Sequence, residues 1–73
     1  MINATEADQA AELMLTAYCR AAECTTPDDV RKACEMMISK AARAIEKYNG
    51  AKVAADVLDR TTRHILNKPQ PKH

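Results

Sequence analysis

The 73-residue sequence is 47% hydrophobic but only 3% aromatic, and its formal net charge at pH 7 is +1. This length allows one domain at most, and the small net charge excludes the strongly basic surface typical of nucleic-acid-binding domains. No segment approaches the ~18 consecutive apolar residues that a membrane-spanning helix needs, so we expect no membrane insertion.

The first predicted element is an amphipathic helix over residues 5–24, preceded by an N-terminal arm of residues 1–4. Two overlapping start signals are present, because Asn3 is followed by Glu6 and Thr5 by Asp8 at the spacing of a capping box. The apolar residues then recur at three- and four-residue steps, which predicts one packed face. They are Ala7, Ala10, Ala11, Met14, Tyr18, Ala21 and Ala22.

A second helix is predicted over residues 27–48, because the residues at its N-terminal end carry several helix-start signals. Thr26 is a favoured capping residue, Pro27 suits the first helical position, and two aspartates follow at the positive end of the helix dipole. Pro27 cannot continue the preceding helix, so we expect a tight turn and an antiparallel helical hairpin. Asp28 stands four residues before Lys32, the spacing of a helical ion pair.

The Asn49-Gly50 pair permits three structures. Asn-Gly often forms a β-hairpin turn, but the flanking residues do not alternate as strands do and are rich in helix formers. A continuous helix would carry Gly50 in its interior at a cost of about 1 kcal/mol. We therefore predict that the second helix ends here, with Gly50 or Asn49 in the left-handed conformation.

A third helix is predicted over residues 51–67, followed by a flexible tail of residues 68–73. Its apolar face consists of Val53, Ala54, Val57, Leu58, Thr61 and Ile65. On the other face, Asp56 and Arg60 and then Asp59 and Arg63 have ion-pair spacing. The predicted fold class is all-α: a single domain over residues 5–67 with a helical hairpin and a third helix, expected to be oligomeric.

No arrangement of polar residues indicates chemistry. The possible metal ligands Cys19, Cys24, Cys34, His64 and His73 lack the short Cys-x-x-Cys spacing of structural zinc sites. One glycine in the whole chain excludes a glycine-rich phosphate loop. We predict no enzyme activity, no metal, no cofactor and no small-molecule substrate. An odd number of cysteines without a signal-peptide pattern leads us to expect reduced thiols and a cytoplasmic location.

Nucleic-acid binding is the alternative hypothesis. Arg60, Arg63, His64 and Asn67 lie on one side of the third helix and are residue types that contact phosphates and bases. Asp56 and Asp59 share the exposed face of that helix and would repel phosphate. We therefore rank this hypothesis second.

The apolar residues are small in the main and widely distributed. Fourteen are alanine, and only eleven are Ile, Leu or Val. Because alanine buries little area, we expect a thin core and predict that another protein chain covers part of the surface. The residues predicted to bind that partner are Leu13, Met36, Leu66, Tyr48 and Met37.

Charge is unevenly distributed along the chain. Residues 1–26 carry four acidic side chains and one basic one, whereas residues 49–73 carry two acidic and five basic ones. We interpret this asymmetry as attraction between neighbouring helices. The predicted function is a small regulator, such as an inhibitor or antirepressor. It would bind a larger protein and antagonise it, as a homo-oligomer or in a hetero-complex.

Overall fold

A computed structural model describes residues 1–67. Over this range the chain forms three α-helices and no strand: α1, Ala4–Ala21; α2, Pro27–Asn49; and α3, Ala51–Asn67. The predicted all-α class with three helices is confirmed. The tail predicted for residues 68–73 lies outside the described residues.

Asn3, rather than Thr5, is the N-terminal capping residue of α1. The Asn3 side-chain oxygen accepts a hydrogen bond of 2.9 Å from the backbone N–H of Glu6, and the Asn3 amide donates one of 2.6 Å to the Glu6 carboxylate. The first bond satisfies a backbone N–H that the first turn leaves without a helical partner, and the second, donated by the side-chain amide of Asn3, holds the Glu6 carboxylate beside the cap. The helix therefore starts one residue earlier than predicted.

The end of α1 differs from the prediction by three residues. The N–H of Glu23 donates to the carbonyl of Arg20, and the N–H of Cys24 donates to the carbonyl of Cys19; each bond is 3.0 Å long. This bond pattern is a Schellman motif, in which the residue after the cap adopts left-handed backbone angles. Glu23 occupies that position with φ of 57°. The prediction of residue 24 was wrong because no glycine marked the stop.

Thr26 caps α2, as its sequence predicts. Its hydroxyl accepts a hydrogen bond of 3.1 Å from the N–H of Asp29. The Asp29 carboxylate in turn accepts bonds from the N–H and the hydroxyl of Thr25, at 3.0 and 3.1 Å. These bonds favour the ionised form, so they lower the pKa of Asp29.

Gly50 is the only residue between α2 and α3. Its φ of +92° is open to glycine but rarely adopted by other residues. Its N–H closes α2 on the carbonyl of Glu46 at 2.9 Å, and its carbonyl opens α3 by accepting from the N–H of Ala54 at 3.2 Å. The prediction that the helix ends at Asn49-Gly50 is confirmed.

The chain divides into two compact units within α2. The first unit, Met1–Ile38, contains α1 and the start of α2, and the second unit, Ser39–His73, contains the rest of α2 and α3. Half-buried residues line each helix contact and are small in the main. The half-buried residues are Ala7, Tyr18, Cys19, Cys24, Asp29, Ala33 and Cys34 in the first unit, and Ala42, Ile45 and Val57 in the second. Among the described residues only Ala54, 7% exposed, is buried.

Candidate protein-interaction surface

The residues predicted to bind a partner are all exposed. Leu13 is 73% exposed and Met36 57% in the first unit, and Tyr48 is 78% and Leu66 76% exposed in the second; Met37 is less open. Scattered exposed apolar residues are ordinary on a protein surface. Here, however, the exposed side chains are larger than most of those that line the helix contacts.

Several residues predicted to pack inside are exposed as well. Met14 of α1 and Ile65 of α3 belong to the predicted apolar faces, yet each remains more than half exposed. The physical reason is the width of those faces. One helix neighbour covers a narrow stripe, and residues on its margins stay in water. The periodicity identified the helices correctly but overestimated how much of each face is packed.

Leu13 lies in a surface depression of α1 with Gln9, Glu12 and Thr16. At about 100° per residue, Leu13 lies about 140° around α1 from Tyr18, which is half-buried. The hydroxyl of Thr16 donates to the carbonyl of Glu12 at 3.0 Å and is thereby satisfied within the helix. The apolar group at the centre of this face is Leu13.

Met36 lines a groove of about 350 Å³ within the first unit, between α1 and α2. Tyr18 and Ala22 contribute from α1, and Lys32 and Met36 from α2. Lys32 forms the predicted ion pair with Asp28, at 3.3 Å. The groove is therefore an apolar strip with charge at its margin.

A second groove, of about 240 Å³, lies within the second unit. Alanines of both helices and Leu58 form its floor, and Arg43 and Glu46 stand at its margin. Tyr48 follows on α2, with the Lys47 ammonium 5.5 Å from the centre of its ring. Such a cation over an exposed ring adds roughly 0.5–1 kcal/mol and leaves most of the ring in water.

The residues of the nucleic-acid hypothesis, Arg60, Arg63, His64 and Asn67, are exposed on α3. Arg63 forms the predicted ion pair with Asp59 at a distance of 3.1 Å, so the positive charge of Arg63 is partly compensated. Among the described residues, the ion pair predicted between Asp56 and Arg60 is not formed, because no guanidinium nitrogen of Arg60 lies within 4.0 Å of a carboxylate oxygen of Asp56. Nucleic-acid binding stays a prediction.

The fold brings together one pair of residues that was not predicted from the sequence. Cys19 of α1 and Cys34 of α2 are neighbours, and partial burial together with the nearby Cys19 thiol raises the pKa of Cys34. Both thiols are free and half-buried. The two positions lie at equal distances from the junction of Thr26 and Pro27, the centre of the predicted turn. That symmetry was the signal that could have identified the pair.

Cys24 lies apart from this pair and donates a weak hydrogen bond of 3.6 Å to the carbonyl of Asp29. Within residues 1–67, no group of three or more His, Cys, Asp or Glu side chains is placed to hold a metal ion. None of the helices in that range combines the length and apolar character required to cross a membrane.

Comparisons with known proteins add no identification, since no protein-family model, curated protein or solved structure matches the chain. The functional argument therefore depends on the residues themselves.

Proposed function

We propose that this chain is a non-catalytic protein-interaction module, a small regulator that binds a larger protein and inhibits or antagonises it. The observation that carries the proposal is the exposure of large apolar side chains on helices whose half-buried residues are mostly small. Met36 and Tyr48 are more than half exposed, whereas the only buried side chain described is that of Ala54.

The energetic argument concerns what each side chain contributes when it is covered. Complete burial of a Met or Leu contributes roughly 1.5–3 kcal/mol, while alanine contributes much less. Most of the stabilisation available from Met36 is therefore still unused in the chain, and a partner that covers it gains that free energy. Methionine adapts its shape to irregular surfaces, which suits a residue that binds a foreign chain.

The test is recovery of the target from the native cell, followed by measurement with the purified target. The full chain carries an affinity tag, and the proteins that it retains in stoichiometric amount are identified by mass spectrometry. Met36→Gln and Tyr48→Gln remove an exposed apolar group without adding charge. Each should weaken binding to the purified target about tenfold or more, because burial of that group is lost.

Ser39→Gln is the matched control for Met36→Gln. Ser39 is exposed on α2, one turn after Met36, so the variant introduces the same side chain without removing an apolar one. It should bind the target as the original chain does. Failure to retain any larger protein, or equal binding by all the variants, would contradict the proposed function.

A further inference from the structure

The two units have opposite net charge. Residues 1–38 carry seven acidic and three basic side chains. Residues 39–67 carry three acidic and six basic ones. The boundary that separates these charges is the one at which the fold divides, after Ile38. The first unit is thus acidic by four charges and the described part of the second unit is basic by three.

Each unit also keeps a pair of large apolar residues in water. On α1 of the first unit these are Leu13 and Met14, and on α3 of the second unit they are Ile65 and Leu66. All four are more than half exposed in the described part of the chain. The surface of α1 around Leu13 and the surface of α3 around Leu66 are therefore exposed faces of the described residues.

We infer that a second copy of this chain is the partner of these faces, with the first unit of one copy on the second unit of the other. This inference rests on the proposed function and names one of the chains that the surface binds. The argument for a second copy is charge complementarity. Contact between two first units would oppose like charges, whereas contact between unlike units is attractive.

A two-fold dimer makes this contact twice, because each copy supplies one acidic and one basic unit. Leu13 and Leu66 provide the apolar part of each contact, and the opposite charges select the unlike pairing. Met36 and Tyr48 belong to neither pair and remain for the larger target. The dimer and the target complex can therefore be tested with different variants.

The first experiment is sedimentation of the full chain over about 1–100 µM, at salt concentrations of about 50 and 500 mM. We expect a dimer at low salt and dimerisation weakened about 3–10-fold at high salt, because salt screens attraction between exposed charges. Leu13→Gln and Leu66→Gln should each weaken dimerisation at least about tenfold. Ser39→Gln is the control, because it adds the same side chain at an exposed position of α2, outside both α1 and α3, and should dimerise normally.

The second experiment tests the pairing directly with charge reversal. Asp8→Lys with Glu12→Lys removes the net charge of the first unit, and Lys52→Glu with Arg60→Glu makes the described part of the second unit acidic. Each double variant should self-associate at least about tenfold more weakly. An equimolar mixture restores one complementary contact, so native mass spectrometry should show a hetero-dimer formed at least about threefold more tightly than either homodimer.

Several results would overturn the inference. A monomer throughout the concentration range excludes the second copy. A dimer insensitive to salt and charge reversal, or a mixture without hetero-dimer, excludes the pairing of unlike units. A monomer that still retains its target contradicts the second copy alone, whereas a dimer that retains no target contradicts only the proposed regulatory function.

Discussion

Glu23 is the residue whose substitution should stabilise the protein most clearly. It holds the left-handed position of the Schellman motif that ends α1, with φ of 57°. For a residue with a Cβ this conformation costs roughly 1–2 kcal/mol, and glycine removes that cost. Glycine also makes the unfolded chain more flexible, which returns about 0.4–1 kcal/mol. The net expectation for Glu23→Gly is a gain of about 1 kcal/mol.

Thermal unfolding followed by circular dichroism at 222 nm, at fixed protein concentration, measures this change. A gain of 1 kcal/mol in a chain of this length raises Tm by about 4–8 °C. Glu23→Gln is the control, because it removes the negative charge near the C-terminal end of α1 but keeps a Cβ at the strained position. Glycine should exceed glutamine in Tm. A glycine variant no more stable than the glutamine variant would refute the assignment of strain to the Glu23 backbone.

Three further predictions concern the turns and the thiols. Gly50→Ala should lower stability by about 1–2 kcal/mol in urea unfolding, because its φ of +92° is strained for alanine although no atom lies within 4 Å of the added Cβ; unchanged stability would contradict this. Mild oxidation with oxidised glutathione should join Cys19 to Cys34 within one chain, since the Cys19 thiol is near enough to Cys34 to raise its pKa, and peptide mapping should find the same link in Cys24→Ser but not in Cys34→Ser. The pKa of Asp29 is lowered from 3.8 by the Thr25 bonds, so the stabilisation from its carboxylate is present above pH 3.8 and is lost as the pH falls through the folded-state pKa. The Asp29→Asn variant should therefore show a smaller fall in Tm between about pH 5 and pH 3 than the original chain. An equal fall would show that the bonds to the Asp29 carboxylate do not stabilise the fold.

Local sequence signals predicted most of the helix boundaries correctly. Thr26 and Pro27 mark the start of α2, and Gly50 marks both its end and the start of α3. These signals succeed because caps and left-handed residues act through hydrogen bonds within a few residues. The same logic explains the error at Glu23, where the stop uses a residue whose type does not announce a left-handed backbone.

The packing could not be predicted to the same degree. Periodicity shows which residues share a face, but it does not show how far a neighbouring helix extends over that face. Met14 and Ile65 therefore emerged as exposed, although each belongs to a predicted apolar face. The proximity of Cys19 to Cys34 likewise depends on the register of two helices, which the turn sets, and the only sequence signal for it is their equal distance from the junction of Thr26 and Pro27.

The residues that specify the helices are not the residues with the largest exposed apolar side chains, and substitutions at the two kinds of position should differ in effect. The helices are specified by local bonds at residues such as Asn3 and Thr26, while the largest exposed apolar groups, such as Leu13 and Leu66, contribute little to the helix contacts. Substitution of an exposed Leu by Gln should therefore change the free energy of unfolding of the dilute, isolated chain by less than about 0.5 kcal/mol. At Ala54, which is 7% exposed, a larger side chain such as Leu overpacks the contact and should cost roughly 1–3 kcal/mol. If Leu13→Gln instead unfolded the isolated chain as strongly as Ala54→Leu, Leu13 would be a core residue, and the argument that it is reserved for another chain would fail.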